Sequence, residues 1–272
     1  NTWYENDSAF MVGKNTEKKF ILSPPAEICT RGKAHDNVSC NACHTKWSPQ
    51  CIGCHNAYEE NSENAFDLLE YKDLQGSWEE YIGEYLADTP SLGIRETDSI
   101  ESVQAFAPGM VLSVDMKSFP GVDEPPIIFK RLFAPSSPHT TSKKGRDCKT
   151  CHNNPLALGY GRGKLEYILN GNSGEWKFSP LYASNEFDGL PEDAWTGFML
   201  ERTDQAATRT EARPFNVKEQ QQILLVGSCL TCHDQDSELM KSSLDDFEKI
   251  IGNRSNECIL PEYYNSSKSL SN

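Results

Sequence analysis

Eight of the ten cysteines and four of the six histidines in this chain fall into one pattern. Cys-x-x-Cys-His occurs at Cys40–His44 (CNACH), Cys51–His55 (CIGCH), Cys148–His152 (CKTCH) and Cys229–His233 (CLTCH). On a helical turn, positions i, i+3 and i+4 share one face, so two thiols and an imidazole are presented together. Two chemistries use such a set. Zinc takes paired thiolates, and Cys40, Cys43, Cys51 and Cys54 alone could form a four-thiolate knuckle. A covalent porphyrin takes the two thiols on its vinyl groups and the imidazole on its iron, and this spacing is its attachment signature. Zinc gives no reason for a histidine directly after every second cysteine, and the two later copies have no CxxC partner nearby. The pattern therefore points to four covalently bound haem c groups. Cys40, Cys43, Cys51, Cys54, Cys148, Cys151, Cys229 and Cys232 are the expected thioether residues, and His44, His55, His152 and His233 the expected proximal iron ligands.

The second axial ligand sets potential and reactivity. With four histidines used, His35 and His139 remain, each a little upstream of a motif, and both are expected ligands. Two spare histidines cannot cap four irons. A symmetric exchange between identical subunits does not help, because each subunit lends what it borrows. At least two irons must therefore take another ligand or stay open. Of the five methionines, Met110, after Pro-Gly in FAPGMVLSVDM, and Met199, after WTGF, are the candidates. Met240 shares a helical apolar face with Leu244, Phe247 and Ile251 and reads as core.

Cys29 and Cys258 are left over. Haem c is attached outside the cytoplasm, where disulfides persist, so a Cys29–Cys258 bridge is expected. Closing so long a loop would contribute about 3–5 kcal/mol in the chain-entropy model. Glycosylation sequons stand at Asn6, Asn37, Asn253 and Asn265.

The elements that must position these residues come next. Net charge is −14, which argues against nucleic acid and anionic membrane surfaces. No apolar run reaches membrane-spanning length. Asn1 without a preceding apolar leader reads as a mature chain. Residues 1–272 are expected to form a single domain: an arm and the double-motif unit over 1–60, a connecting segment over 61–138, and the last two motifs with a C-terminal helix over 139–272. Lys19–Leu22 reads as a strand, Ala65–Leu74 as a helix and PPIIFKRLFAP as a short strand. Residues 166–214 read as loops with short strands. The glycines of NPLALGYGRGKL would let backbone approach a porphyrin, and Trp176, Tyr182 and Trp195 would pack on haem or core. Asn216 caps a helix with Glu219 at the capping-box position, running toward Val226. A second helix is expected from Ser237 to Ile251, ended by Gly252.

The four motifs, the close first pair, and the stretches HTTSKKGRDCKTCHNNPLALGYG and RPFNVKEQQQILLVGSCLTCH resemble tetrahaem c-type cytochromes, from about Ala34 to Asp236. Within that class the chain is most similar to extracellular cytochromes that polymerise into haem filaments, archaeal ones included. The resemblance implies a multihaem cytochrome fold, mostly irregular, with short α-helices and few short strands wrapped round a chain of four haems. It implies a secreted electron carrier at the cell surface, with the periplasm as the alternative location. Its partners would be identical subunits in a polymer, redox proteins and extracellular electron acceptors. Filament cytochromes typically carry two histidines on every iron, which this chain cannot supply. The shortfall motivates a second class, a multihaem reductase or oxidase of small nitrogen or sulfur compounds at an open iron, with HTTSKKGRD supplying charged groups. A docked donor of the photosynthetic reaction-centre type ranks behind both, because its motifs would be more evenly spread.

Overall fold

The computed structural model describes residues 2–6, 8–62, 65–67, 71–108, 113–121, 127–137, 140–201 and 210–264. Met110, His139 and Asn265 lie outside them. The chain divides into two compact units, one of residues 1–36 with 236–254, the other of residues 37–235 with 255–272.

In the first unit, strands Thr2–Glu5, Ser8–Val12 and Lys19–Leu22 form an antiparallel sheet, with the third strand where its sequence placed it. Trp3, Phe10 and Ile21 stand opposite one another, and the Trp3 and Phe10 rings stack at 5.6 Å. The single helix expected over 237–251 is instead two, Glu238–Ser243 and Phe247–Gly252. The cause is local. Ser237 caps the first, and Asp246 starts the second by accepting the Lys249 backbone N–H at 3.0 Å. Between them, Arg31 grips Asp245 at 2.8 Å. Met240 is buried, as its spacing predicted.

The expected mostly irregular architecture does not hold. Among the described residues, seventeen strands lie in six sheets, and only the helix Val217–Cys229 exceeds six residues. The second unit is built on hairpins. Ser91–Thr97 and Ile100–Pro108 pair antiparallel across Asp98 and Ser99, whose φ values of 51° and 65° match the twist of the flanking strands. Phe133–Pro135 and Ala212–Arg213 flank them in a four-stranded sheet. A second four-stranded sheet orders Ile127–Phe129, Ser113–Asp115, His55–Glu59 and Ser77–Tyr81. PPIIFKRLFAP thus supplies two strands, one to each sheet. Gly163–Asn170 and Ser173–Pro180 form a regular hairpin where loops with short strands were expected. Ala65–Leu74 is not a helix but the paired strands Ala65–Asp67 and Lys72–Leu74, with Tyr71 at a φ of 52° that no helix accommodates.

One apolar cluster joins the first motif, the third motif and the helix that leads into the fourth. Ala42 of the first motif, Leu224 of the Val217–Cys229 helix and Leu92, Leu158, Tyr160 and Trp176 are buried together, and Cys151 of the third motif packs against them. The helix begins where predicted: Asn216 accepts the Glu219 N–H at 2.9 Å, and Glu219 accepts the Asn216 N–H at 2.8 Å. Because this helix carries the fourth motif at its end, Asn216→Ala is expected to lower stability by about 1 kcal/mol. A urea titration of the intact protein checks this. A second cluster joins Phe106, Phe133, Trp195 and Ala212, with Phe133 stacked on Trp195 at 4.5 Å. Trp176 and Trp195 are therefore core, and Tyr182 is half-buried, its hydroxyl donating to Glu84. No helix among the described residues is long and apolar enough to cross a membrane.

Candidate functional site

The first and third motifs sit on short helices of their own, Cys40–His44 and Cys148–His152. Asp147 caps the latter by accepting the Thr150 N–H at 2.8 Å. The fourth continues the Val217–Cys229 helix as a turn, with the His233 N–H donating to the Cys229 carbonyl at 2.9 Å. In these three, the spacing of thiols and imidazole is that of a helical turn.

Two of the imidazoles are oriented by backbone. The His44 Nδ1–H donates to the Ser142 carbonyl at 2.8 Å, and the Ser142 N–H returns a bond to the His44 carbonyl at 2.8 Å. The His152 Nδ1–H donates to the Ile223 carbonyl at 2.9 Å. A carbonyl can only accept, so Nδ1 carries the proton and Nε2 keeps its lone pair for a metal. Such an outer partner fixes both tautomer and ring orientation. His55 shares a hydrogen bond with Ser113 Oγ through the same nitrogen, across the parallel pairing of 55–57 with 113–115. Gly145 lies beside the His44 ring, where a Cβ would stand 3.6 Å from Nε2.

The second motif differs. Cys51 ends strand Ser48–Ile52, Gly53 turns the chain at a φ of 68°, and His55 begins the next strand. The helical presentation expected from its spacing is absent there. Cys54 is 1% exposed and its thiol donates to Glu80 Oε1 at 3.4 Å. Burial first, and then the Glu80 carboxylate, push the Cys54 thiol up to about 11. Cys54 is thus enclosed as it stands, whereas the six thiols of the first, third and fourth motifs are exposed or half-buried. Burial likewise raises Cys151 and Cys229 to about 11, so both remain protonated thiols at neutral pH.

The tetrad Cys40, Cys43, Cys51 and Cys54 is pulled apart. Cys43 adjoins Arg146 and the third motif, while Cys51 and Cys54 face Glu80. Among the described residues, no three His, Cys, Asp or Glu side chains converge as a metal-binding group.

The fourth motif opens on a cavity of about 290 Å³ lined by Cys229, Cys232, His233, Tyr167, Leu169 and Cys258, among others. Cys258 thus stands beside the fourth motif in the second unit, and Cys29 is exposed in the first unit; both are free thiols. His35 is exposed in the first unit. Met199, at a φ of 53°, packs against the main core cluster, and its N–H donates to Gln220 Oε1 at 2.9 Å. Asn6, Asn37 and Asn253 are exposed. The glycines after the third motif serve the protein itself: Gly161, at a φ of 85°, lets Asp193 come so close that a Cβ would stand 2.1 Å from its Oδ1. The orienting groups at Ser142 and Ile223 were invisible in sequence because a backbone carbonyl has no residue signature. Arg146 carried a weak signal, two residues before Cys148.

No family model, curated protein or solved structure matches this chain.

Proposed function

We propose that this chain is an extracytoplasmic electron carrier with four c-type haems, acting as a subunit of an extracellular cytochrome filament. The observation that supports the reading is the four Cys-x-x-Cys-His motifs, three of whose imidazoles, His44, His55 and His152, have Nδ1 held by the chain itself. Bound haem supplies the one-electron ferric–ferrous couple. The protein's residues do the rest. Cys40, Cys43, Cys51, Cys54, Cys148, Cys151, Cys229 and Cys232 would hold the haems as thioethers. His44 and His152 present Nε2, and the core around Ala42 and Trp176 excludes water from the neighbouring motifs. The second motif requires the Cys54–Glu80 contact to open before its thiols can react.

Polymerisation rests on the resemblance, together with the apolar sheet at the N-terminus, where Tyr4 is 85% and Ile21 72% exposed. The histidine count favours a second reading, reduction or oxidation of a small nitrogen or sulfur compound at an iron without a second histidine. Intact mass and the alkaline pyridine spectrum test the common premise. A red protein weighing the polypeptide plus four haems is expected, and a colourless protein at the bare polypeptide mass overturns it. Uniformly low-spin iron by electron paramagnetic resonance would then exclude the open-site reading. Isolated monomers in electron micrographs of native material would exclude the filament.

A further inference from the structure

The segment leading into the third motif is laid along the first. The Lys46 N–H donates to the Thr140 carbonyl at 3.0 Å, Ser142 exchanges two bonds with His44, and the Arg146 N–H donates to the Cys43 carbonyl at 2.9 Å. The Arg146 side chain turns inward from this segment. Its Nη2 donates to the Pro90 carbonyl at 2.6 Å, while Nε and Nη1 are buried with only the Cys151 thiol beside the guanidinium. The Cys151 thiol faces the guanidinium from the third motif. Arg146 therefore stands between the thiols of two motifs that are more than a hundred residues apart.

Its charge has little to offset it. Asp88 is the carboxylate that acts on it, and Asp88 Oδ2 is already engaged by Arg162 at 3.2 Å. Lys143, Lys144 and Lys149 are exposed, so solvent screens them. Cys151 is the group on the third motif that could turn anionic, and as a thioether it loses that capacity. A half-buried cation whose one carboxylate is shared with another arginine is weakly compensated and acts on whatever lies nearby. Reduction of ferric iron adds one negative charge, which such a cation favours, and burial and local charge are among a protein's levers on haem potential.

Resting on the haem reading above, we propose that Arg146 is a positioning charge that holds the potentials of the haems on the first and third motifs above those of the other two. The chain would then have an electron-accepting pair built from motifs distant in sequence, beyond the adjacency of the first and second. The test is a potentiometric titration of the four-haem protein followed by its absorbance, comparing Arg146→Gln and Arg146→Lys. With Gln, two of the four one-electron waves are expected to fall, each by roughly a tenfold loss in the reduction equilibrium, about 59 mV. The other two stay in place, and Lys keeps all four close to native. Four unmoved waves with Gln, a uniform shift of all four, or an equal shift with Lys overturns the proposal. If the Gln variant does not fold, the Cys40→Ala, Cys43→Ala variant, which truncates exposed and half-buried thiols, decides: it should remove a wave from the upper half of the titration, and loss from the lower half refutes the assignment. A preparation with no haem defeats the underlying reading instead, and the haem count per chain separates the two failures.

Discussion

Replacing Arg131 with Met is expected to cost about 3–5 kcal/mol of folding free energy. The side chain is 0% exposed and Asp188 is 2% exposed. Nε donates to Asp188 Oδ2 at 2.6 Å and Nη2 to Oδ1 at 2.8 Å, a two-point grip on the carboxylate. The remaining donors reach the carbonyls of Leu190, Pro191, Glu192 and Ala194. One guanidinium thereby fixes the loop that delivers Trp195 onto Phe133. Met fills similar volume but leaves Asp188 as an uncompensated buried charge and four carbonyls short of a donor. The penalty measures that deficit rather than the net worth of the ion pair, since replacing both partners with apolar groups is often neutral. The double variant Arg131→Met, Asp188→Leu should accordingly lose less than the single one. Urea denaturation of the intact protein reads both. A single variant within 1 kcal/mol of native, or a double variant worse than the single, would contradict the account.

Arg131 also marks where sequence stops being legible. Its surroundings, IIFKRLF, read as a strand, and strands are there, but nothing local says that Arg rather than Lys130 turns inward. The partner is at position 188, and such long-range placement leaves no periodic trace. The same limit explains the fold. The motifs, the Asn216 capping box and the Lys19–Leu22 strand depend on residues within a turn of one another, and they were readable. The sheets depend on pairing across the chain, as between Ile94 and Arg213, and their strands carry polar residues on solvated faces that blur the alternation. Ala65–Leu74 has helical spacing yet pairs with itself. Ser242, Asp245 and Asp246 were a visible interruption in the 237–251 pattern, since short polar side chains compete for backbone and favour caps over helix interiors. At the candidate site, the cysteines and histidines were legible, but the departure of the second motif was not, because Ser48–Ile52 is drawn into a strand by pairing with Glu84–Asp88.

The departure of that motif leads to an unequal response when attachment cysteines are removed in pairs. Each of the four double alanine variants is expected to lose one haem, giving three per chain, but the structural consequences should differ. Cys151 packs against the main core, and its motif is docked on the Val217–Cys229 helix through His152 and through Asn153, whose side chain donates to the Gly227 carbonyl at 3.1 Å. Truncating Cys151 opens a void at that junction, so Cys148→Ala with Cys151→Ala should unfold most readily. The fourth motif borders an open cavity that water can enter, so Cys229→Ala with Cys232→Ala should be milder. Cys51→Ala with Cys54→Ala truncates the fully buried Cys54 and removes its hydrogen bond to Glu80, so it should cost the apoprotein stability as well as removing a haem from the loaded form. Intact mass with the pyridine spectrum gives the haem count, and thermal unfolding gives the ranking. Four haems surviving in any variant would remove that motif from the set. A metal-bound, colourless protein whose zinc content fell with the first two motifs would return Cys40, Cys43, Cys51 and Cys54 to the zinc knuckle that the geometry of Cys43 and Arg146 argues against.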